Sequence, residues 1–382
     1  KVSDTESLPK MASQVCSRKS RNVASVDNPR PAKRRSCRGN SALSKLANEI
    51  SLHRKRVVII AGAGISVASG VRTFRGKSGV WSEFVWSTAT RDSFRKDPLA
   101  WYNDFWLKCM KLPANLKPNP SHQALSDLLE LCPNLKLITQ NVDGLNTSMQ
   151  SPDQVVEAHG RLGLFKCVPD EDSDTDSESD DDDDRLVHLG HRRKRRLAEA
   201  KGVCRYQQME SIEADDLPMT TAVGLMGDSL EEPPKCPLCQ NMVAPQALLF
   251  DEGYHSHDFY QFKKMEDWLA KAEVIMFVGT SFNVRLSEVA LEHARAQSLP
   301  VYNFNTQDFL EATAWLDATN ISGPCEDVLP QLYNACVSIQ GVAVKKTNNK
   351  PIVTNDVVVP RQQKRGICWK KKCIQQLQAS GK

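Results

Sequence analysis

Three short strings hold the residue types that can do chemistry on a phosphorylated sugar. Gly62-Ala63-Gly64-Ile65-Ser66 follows an apolar, β-branched run, Val57-Val58-Ile59-Ile60. Small residues at a strand-to-helix turn let the backbone approach a pyrophosphate, and the next helix offers its N–H groups. A dehydrogenase fingerprint would place a third glycine at position 67, which is Val67, and the next glycine is Gly70. That spacing counts against hydride transfer. The second string, Thr139-Gln140-Asn141-Val142-Asp143-Gly144-Leu145, stands at the C-terminal end of another predicted strand. Open α/β sheets place ligands at that edge. Its Asn and Asp can bond ribose hydroxyls and hold a carboxamide, although taken alone it reads as an Asx turn closed by Gly144. The third, Glu157-Ala158-His159-Gly160, adds an imidazole. Imidazole titrates near neutral pH and can take a proton from a ribose hydroxyl without a metal. In this order the strings describe a site that binds a dinucleotide and sets a histidine beside its ribose.

A doubly wound α/β sheet would position these residues. Besides 57–60, buried parallel strands are predicted at 135–139, 274–278 and 300–304, each a continuous apolar run. Helices are predicted between them, at 121–131 with Ser121 as N-cap after Pro120, and at 286–296. Ala42, Leu43, Leu46, Ala47 and Ile50 mark one face of a helix ahead of the first strand. Strand–helix alternation of this kind defines the fold class. From Cys167 to Cys239 periodicity is weak, and a small inserted module is expected there. It contains Cys236-Pro237-Leu238-Cys239, a knuckle whose two thiolates can chelate zinc.

The 382 residues carry a net charge of only +4, but in blocks. Residues 33–38, 191–196 and 361–372 are basic, and 170–184 are almost wholly acidic or Ser/Thr. Such blocks suggest tethered tails and an interaction segment rather than a uniformly nucleic-acid-binding surface. The resulting domain reading has a disordered basic tail over 1–41, a catalytic domain over 42–340 and a basic tail over 341–382. The inserted module spans 167–239 and carries a charged disordered excursion at about 169–203. A short docking helix near Cys368-Trp369 and 374–377 is a further expectation. No run of about eighteen apolar residues implies a membrane span. No signal peptide is visible, and the chain opens at Lys1. Its twelve cysteines are scattered, which suits a reducing compartment. The clusters at 33–35 and 192–196 resemble nuclear-import patches.

Taken together, the motifs from Arg56 to Leu332 resemble those of the sirtuins, the NAD-dependent protein-lysine deacylases. The resemblance implies a Rossmann-like NAD-binding domain with a small zinc-ribbon module. It implies that His159 is the general base, with Asn141 and Asp143 ordering the ribose and a nearby water. The acyl oxygen of the substrate lysine would attack C1′ of the nicotinamide ribose, and nicotinamide would leave. The family pattern places Gly62, Ala63, Gly64, Ser66, Thr73, Phe74, Arg75, Gln140, Asn141 and Asp143 on the cofactor. On its adenosine side it places Gly279, Thr280, Ser281, Asn305 and Cys325. The chain departs from that pattern at Arg72 and Thr73, where Pro and Asp are usual. The family's first zinc pair is a Cys-x-x-Cys after the His-Gly. Here only Cys167 holds its place, so Cys204, beyond the charged run, is the expected second ligand with Cys236 and Cys239. His188 and His191 are weaker candidates for that position.

Residues 247–252 correspond to the family strand that pairs with the substrate peptide, with Asp251 for the usual Gly, and strand addition reads backbone more than sequence. Tyr102 matches the Tyr of a Tyr-x-x-Arg pair that grips succinyl groups, but Phe105 replaces the Arg, favouring acetyl or longer uncharged acyl groups. The implied partners are acetylated lysine proteins, histones among them, with nucleic acid not required and the nucleus as the expected compartment. Two alternatives share the scaffold: a protein mono-ADP-ribosyltransferase, and a catalytically weak NAD-binding regulatory module.

Overall fold

A computed structural model describes residues 36–73, 83–110, 112–113, 115–146, 153–168, 203–217, 229–306 and 318–341. Phe74, Arg75, His188, His191, the segment 169–202 and the expected docking helix lie outside the described residues, as does nearly all of both tails. The first described helix, Ser36–Ala47, begins inside the stretch read as tail. It then runs on as a π-helix, Asn48–Leu52.

Nine strands follow in the described residues: β1 (Val57–Ala61), β2 (Leu135–Thr139), β3 (Val155–Glu157), β4 (Gly160–Cys167), β5 (Ile212–Glu213), β6 (Val243–Ala247), β7 (Val274–Val278), β8 (Val301–Asn305) and β9 (Ala318–Ser322). Six of them form one parallel sheet in the order β3-β2-β1-β7-β8-β9. The apolar runs are continuous because both faces are covered. Val57, Ile59 and Ala61 of β1 point into one core with Leu46, Leu125 and Leu329, under helices Ser36–Ala47, Pro120–Leu131 and Cys325–Gln340. Val58 and Ile60 point into the opposite core with Leu269, Leu286 and Ala290, under Phe262–Ala270 and Arg285–Ala296. This is the doubly wound sheet expected from the alternation.

One local expectation needs correcting. The N-cap of the helix Pro120–Leu131 is Asn119, not Ser121: the Asn119 side chain accepts from the backbone N–H groups of Ser121 and His122. Pro120 then occupies the first helical position, where its missing N–H costs nothing. The helix expected after the glycine turn is present as a 3-10 helix, Ala63–Ser69.

The small module is a three-stranded antiparallel sheet, β5-β4-β6. It reaches from Gly160 to Ala247, so it takes in the strands that flank the outermost cysteines. Beside it pack Glu83–Thr88, Arg91–Lys96 and residues 98–109, through an aromatic cluster in which Trp101 stacks on Trp106 with ring centres 5.4 Å apart. Asp251 pins this unit. Its carboxylate accepts from the N–H groups of Arg91 (2.7 Å) and Asp92 (3.0 Å), the first turn of their helix. That capping explains an Asp where the family pattern has Gly. Next to it the buried Glu252 carboxylate sits between Lys166 and Arg91. Lys166 Nζ also donates to the Ala247 carbonyl at 2.8 Å and to Tyr260 at 3.0 Å.

Gly160 carries the junction between the two sheets. Its φ is +92°, and a Cβ there would stand 1.8 Å from the Gln246 carbonyl oxygen. Both the left-handed backbone and the close approach to β6 exclude a side chain. Gly160→Ala is therefore expected to destabilise the protein by about 3 kcal/mol or more in urea denaturation. A loss under about 1 kcal/mol would contradict this packing.

Candidate active site and metal centre

β1 connects to β2 on one side and lies against β7 on the other, so the sheet's switch point falls between β1 and β7. The glycine turn sits there. Gly62 N–H donates to the Val278 carbonyl (2.9 Å) and Gly64 N–H to the Gly279 carbonyl (2.8 Å). A Cβ on Gly62 would meet Thr280 Cα at 2.8 Å, and one on Gly64 would meet Gly279 Cα at 2.7 Å. These glycines are thus required by the closure of one loop on the other, and their two amides are spent on it. The sequence alone suggested a simpler duty, direct approach to phosphate.

Ser66, Asn141 and Asp143 converge beneath this turn. Ser66 Oγ donates to Asp143 Oδ2 at 2.6 Å. Asn141 Nδ2 donates to the Gly62 carbonyl at 3.1 Å and to Ser66 Oγ at 3.3 Å. Burial pushes the Asp143 carboxyl above its ordinary value, opposed by the bonds from Ser66 and from Leu145 N–H. His122 joins from the helix Pro120–Leu131, with Nε2 3.3 Å from Ser66 Oγ and Nδ1 accepting from Asn119 N–H. Burial lowers its pKa to about 4, so it is neutral. Sequence reading missed His122 and Asn119. The available signal was an Asn-Pro helix start, which fixes where a histidine three residues on will point.

His159 lies at the start of the module sheet, directly after β3. Its Nδ1 is 2.9 Å from the Gln140 carbonyl at the end of β2. A carbonyl only accepts, so Nδ1 carries the proton and Nε2 the lone pair in the neutral ring. The residue is half-buried, and the surrounding protein lowers its pKa to about 4, chiefly by desolvation, with the Gln140 bond opposing. Gln140's side chain turns away from the histidine, donating to Ser287 Oγ (2.9 Å) and accepting from Thr280 Oγ1 (3.3 Å). A cavity of about 390 Å³ opens at Asn141 and Asp143, lined also by Ala63, Val71, Val142 and Leu162 among others. That is the size and mixture of apolar wall and few polar groups typical of a small-molecule site. A flat ring bearing a carboxamide, with its attached ribose, fits this wall chemistry.

The adenosine-side candidates form a second string of contacts. Gly279 N–H donates to the Phe304 carbonyl, Asn305 Nδ2 to the Thr280 carbonyl at 2.8 Å, and Gly323 N–H to the Asn305 carbonyl. Cys325, two residues on, is buried at the head of Cys325–Gln340, and burial pushes its thiol up to about 12. Ser281 is half-buried in the same loop, and its carbonyl accepts from Asn283. Thr73 closes the described stretch before residue 74. Tyr102 is not an acyl-gripping group: it is fully buried and donates to the Val243 carbonyl at 2.8 Å, and Phe105 is buried beside it. Of residues 247–252 only Ala247 is in a strand. Leu248 N–H donates to the His159 carbonyl and Phe250 N–H to the Ala89 carbonyl.

Cys167, Cys204, Cys236 and Cys239 come together although up to 72 positions separate them. Their sulfurs all lie within 4.8 Å of one another, with Cys167–Cys239 at 3.4 Å and Cys204–Cys236 at 3.7 Å. Four sulfurs about 2.3 Å from one tetrahedral zinc would stand roughly 3.8 Å apart. The donor set and spacing fit a structural zinc. Without a cation the four thiols cannot ionise together: the bond to Cys204 pushes Cys167 up, while the same bond pulls Cys204 down.

The comparisons place the chain in a family. It belongs to the Sir2 family, whose model matches residues 62–286. A Dictyostelium discoideum protein named NAD-dependent deacetylase sir2E is 33% identical over 294 residues, which cover 75% of each chain. An NAD-dependent protein deacylase of Leptospira interrogans is 25% identical over 74% of this chain and 95% of its own length. A crystal structure of a Sir2 homolog–NAD complex superposes with a TM-score of 0.51 at 22% identity, covering 78% of this chain and 94% of that one, a likeness of fold.

Two measurements test the metal centre and the buried histidines. Metal analysis should find one zinc per chain, and Cys204→Ser should lose it and lower Tm by roughly 10 °C. Full zinc occupancy in that variant would remove Cys204 from the ligand set. His122 and His257 are buried, and burial lowers their pKa values to about 4 and about 3, from about 6.5 unfolded. A depressed histidine pKa means the unfolded chain takes up more protons as pH falls below about 6.5. Stability should therefore drop between pH ~7 and pH ~5 by about 2 kcal/mol per group, read from urea unfolding at the two pH values.

Proposed function

We propose that this chain is an NAD-dependent protein-lysine deacylase in which His159 is the general base. What carries the reading is the placement of Asn141 and Asp143 on one cavity at the C-terminal edge of β2, with His159 bonded to the carbonyl of Gln140, the residue before Asn141. A dinucleotide held there would supply an electrophilic ribose carbon for the acyl oxygen of lysine, with nicotinamide as the leaving group and ADP-ribose as the acyl acceptor. The chain's own residues do the rest. Asn141, anchored on the Gly62 carbonyl and Ser66, and Asp143, anchored on Ser66 and the Leu145 N–H, line the cavity. There they would order the carboxamide, the ribose and a water. Val71, Val142 and Leu162 supply part of the cavity's apolar wall. His159 takes a proton from a ribose hydroxyl at Nε2, the ring nitrogen that carries the lone pair, while its Nδ1–H stays on Gln140. The zinc holds the β4–β6 module together and is no part of the proton path.

Acetyl-lysine in histones or other basic nuclear proteins is the substrate class we infer. The acidic run 170–184 suits basic tails, and the basic clusters 33–35 and 192–196 suit nuclear import. A role in histone deacetylation and chromatin silencing follows from that reading. With Tyr102 committed to Val243, it gives no support to a succinyl grip.

The test is mass spectrometry of an acetylated histone-tail peptide incubated with and without NAD, beside His159→Ala. NAD-dependent loss of acetyl that falls at least about 100-fold in the variant is expected for loss of a general base. ADP-ribose gained by the peptide would instead favour the transferase reading, and NAD binding without turnover of any acyl peptide the regulatory-module reading. For the wild type, kcat/KM should stay level from about pH 8 down to about pH 5, because the free base must be deprotonated and its pKa lies at about 4. An acid limb centred near pH 6.5 would contradict that environment.

A further inference from the structure

His159 Nε2, the atom that must receive the proton, already has a partner. The Tyr254 hydroxyl stands 3.1 Å from it. Because Nδ1–H is held by the Gln140 carbonyl, Nε2 of the neutral ring can only accept, so the phenol donates. One directed chain therefore runs from Tyr254 through His159 to Gln140. The Tyr254 ring is held by packing, nearly parallel to Phe262 (18°, centres 5.9 Å apart) and to His159 (26°, 6.0 Å). Burial pushes the phenol's pKa up to about 12, so it keeps its proton throughout the working pH range.

We propose that Tyr254 is a positioning residue that occupies the basic nitrogen of His159 in the resting enzyme and is exchanged for the cofactor's ribose hydroxyl. This rests on the reading of His159 as the base. A lone pair can take one strong donor, so the ribose hydroxyl and the phenol compete for Nε2. Each turnover must break the Tyr254–His159 bond before the hydroxyl can deliver its proton. In return, the phenol holds the ring plane until the cofactor binds, beside the Gln140 bond that sets the tautomer. The sequence signal for Tyr254 is slight, a tyrosine in the loop after residues 247–252.

The experiment compares wild type, Tyr254→Phe and His159→Ala by NAD calorimetry and by steady-state KM and kcat on an acetyl-lysine peptide. Removing the competing hydroxyl should tighten NAD, lowering Kd and KM by about fivefold, the worth of one net hydrogen bond, with kcat changed less than about threefold. A simple structural role would weaken NAD or leave it unchanged, and either result overturns the proposal. A tenfold or larger fall in kcat at unchanged Kd would also overturn it, making Tyr254 a carrier of the proton rather than a placeholder. If Tyr254→Phe is unstable, Tyr254→Leu empties the same hydroxyl position and is read by the same criteria. A wild type that does not turn over acyl peptide with NAD would instead remove the deacylase reading itself, whatever the Tyr254 variants do.

Discussion

The bond from His159 Nδ1 to the Gln140 carbonyl joins the end of β2 to the residues just after β3, and the chemistry of the site depends on it. It fixes which nitrogen carries the proton, so it fixes which nitrogen can act. It also ties the small module to the large sheet, since His159 is followed at once by Gly160 and β4. A carbonyl is a good anchor here because it cannot reverse the direction of the bond. The backbone that presents it is held in turn: Gln140 N–H donates to the Ala61 carbonyl of β1, and the Gln140 side chain locks onto Thr280 and Ser287. The base is thus referenced to three strands and to the loop after β7.

The second constraint is steric. Gly62, Gly64 and Gly279 bring the β1 and β7 loops to backbone contact, and any side chain at the first two would collide with Gly279 or Thr280. This closure sets the position of Ser66, which bonds Asp143, Asn141 and His122 at once. Ser66 is the hub of the polar cluster, and it is fully buried. Its hydroxyl can satisfy several partners because it both donates and accepts. The module's geometry is set separately, by the cysteine cluster on one side and by the buried Lys166–Glu252–Arg91 group on the other. Breaking either buried ion pair would strand a charge, so this group ties the aromatic unit to β4.

Much of this was legible in the residues. The runs 135–139 and 274–278 coincide with β2 and β7, because strands buried on both faces leave a continuous apolar signature. The four cysteines were legible as ligands through one knuckle and a family pattern, despite the long segment between Cys167 and Cys204. What escaped sequence reading is where side chains turn. Gln140 was grouped with cofactor residues, and its side chain faces the protein. Tyr102 was weighed as a specificity group, and it is spent on a backbone carbonyl. Asn119 replaced Ser121 as cap because the proline between them favours the earlier residue. His122 and Tyr254 lie 37 and 95 positions from His159, and no local pattern encodes such pairings. Only the sheet's topology brings them to the site.

The measurement that bears most directly on this account is ¹⁵N NMR of the His159 ring across a pH titration of the free protein. The account predicts a neutral ring with the proton on Nδ1, a hydrogen-bonded acceptor Nε2, and protonation only near pH 4. A ring protonated on Nε2, or one that titrates near its ordinary value of about 6.5, would contradict it.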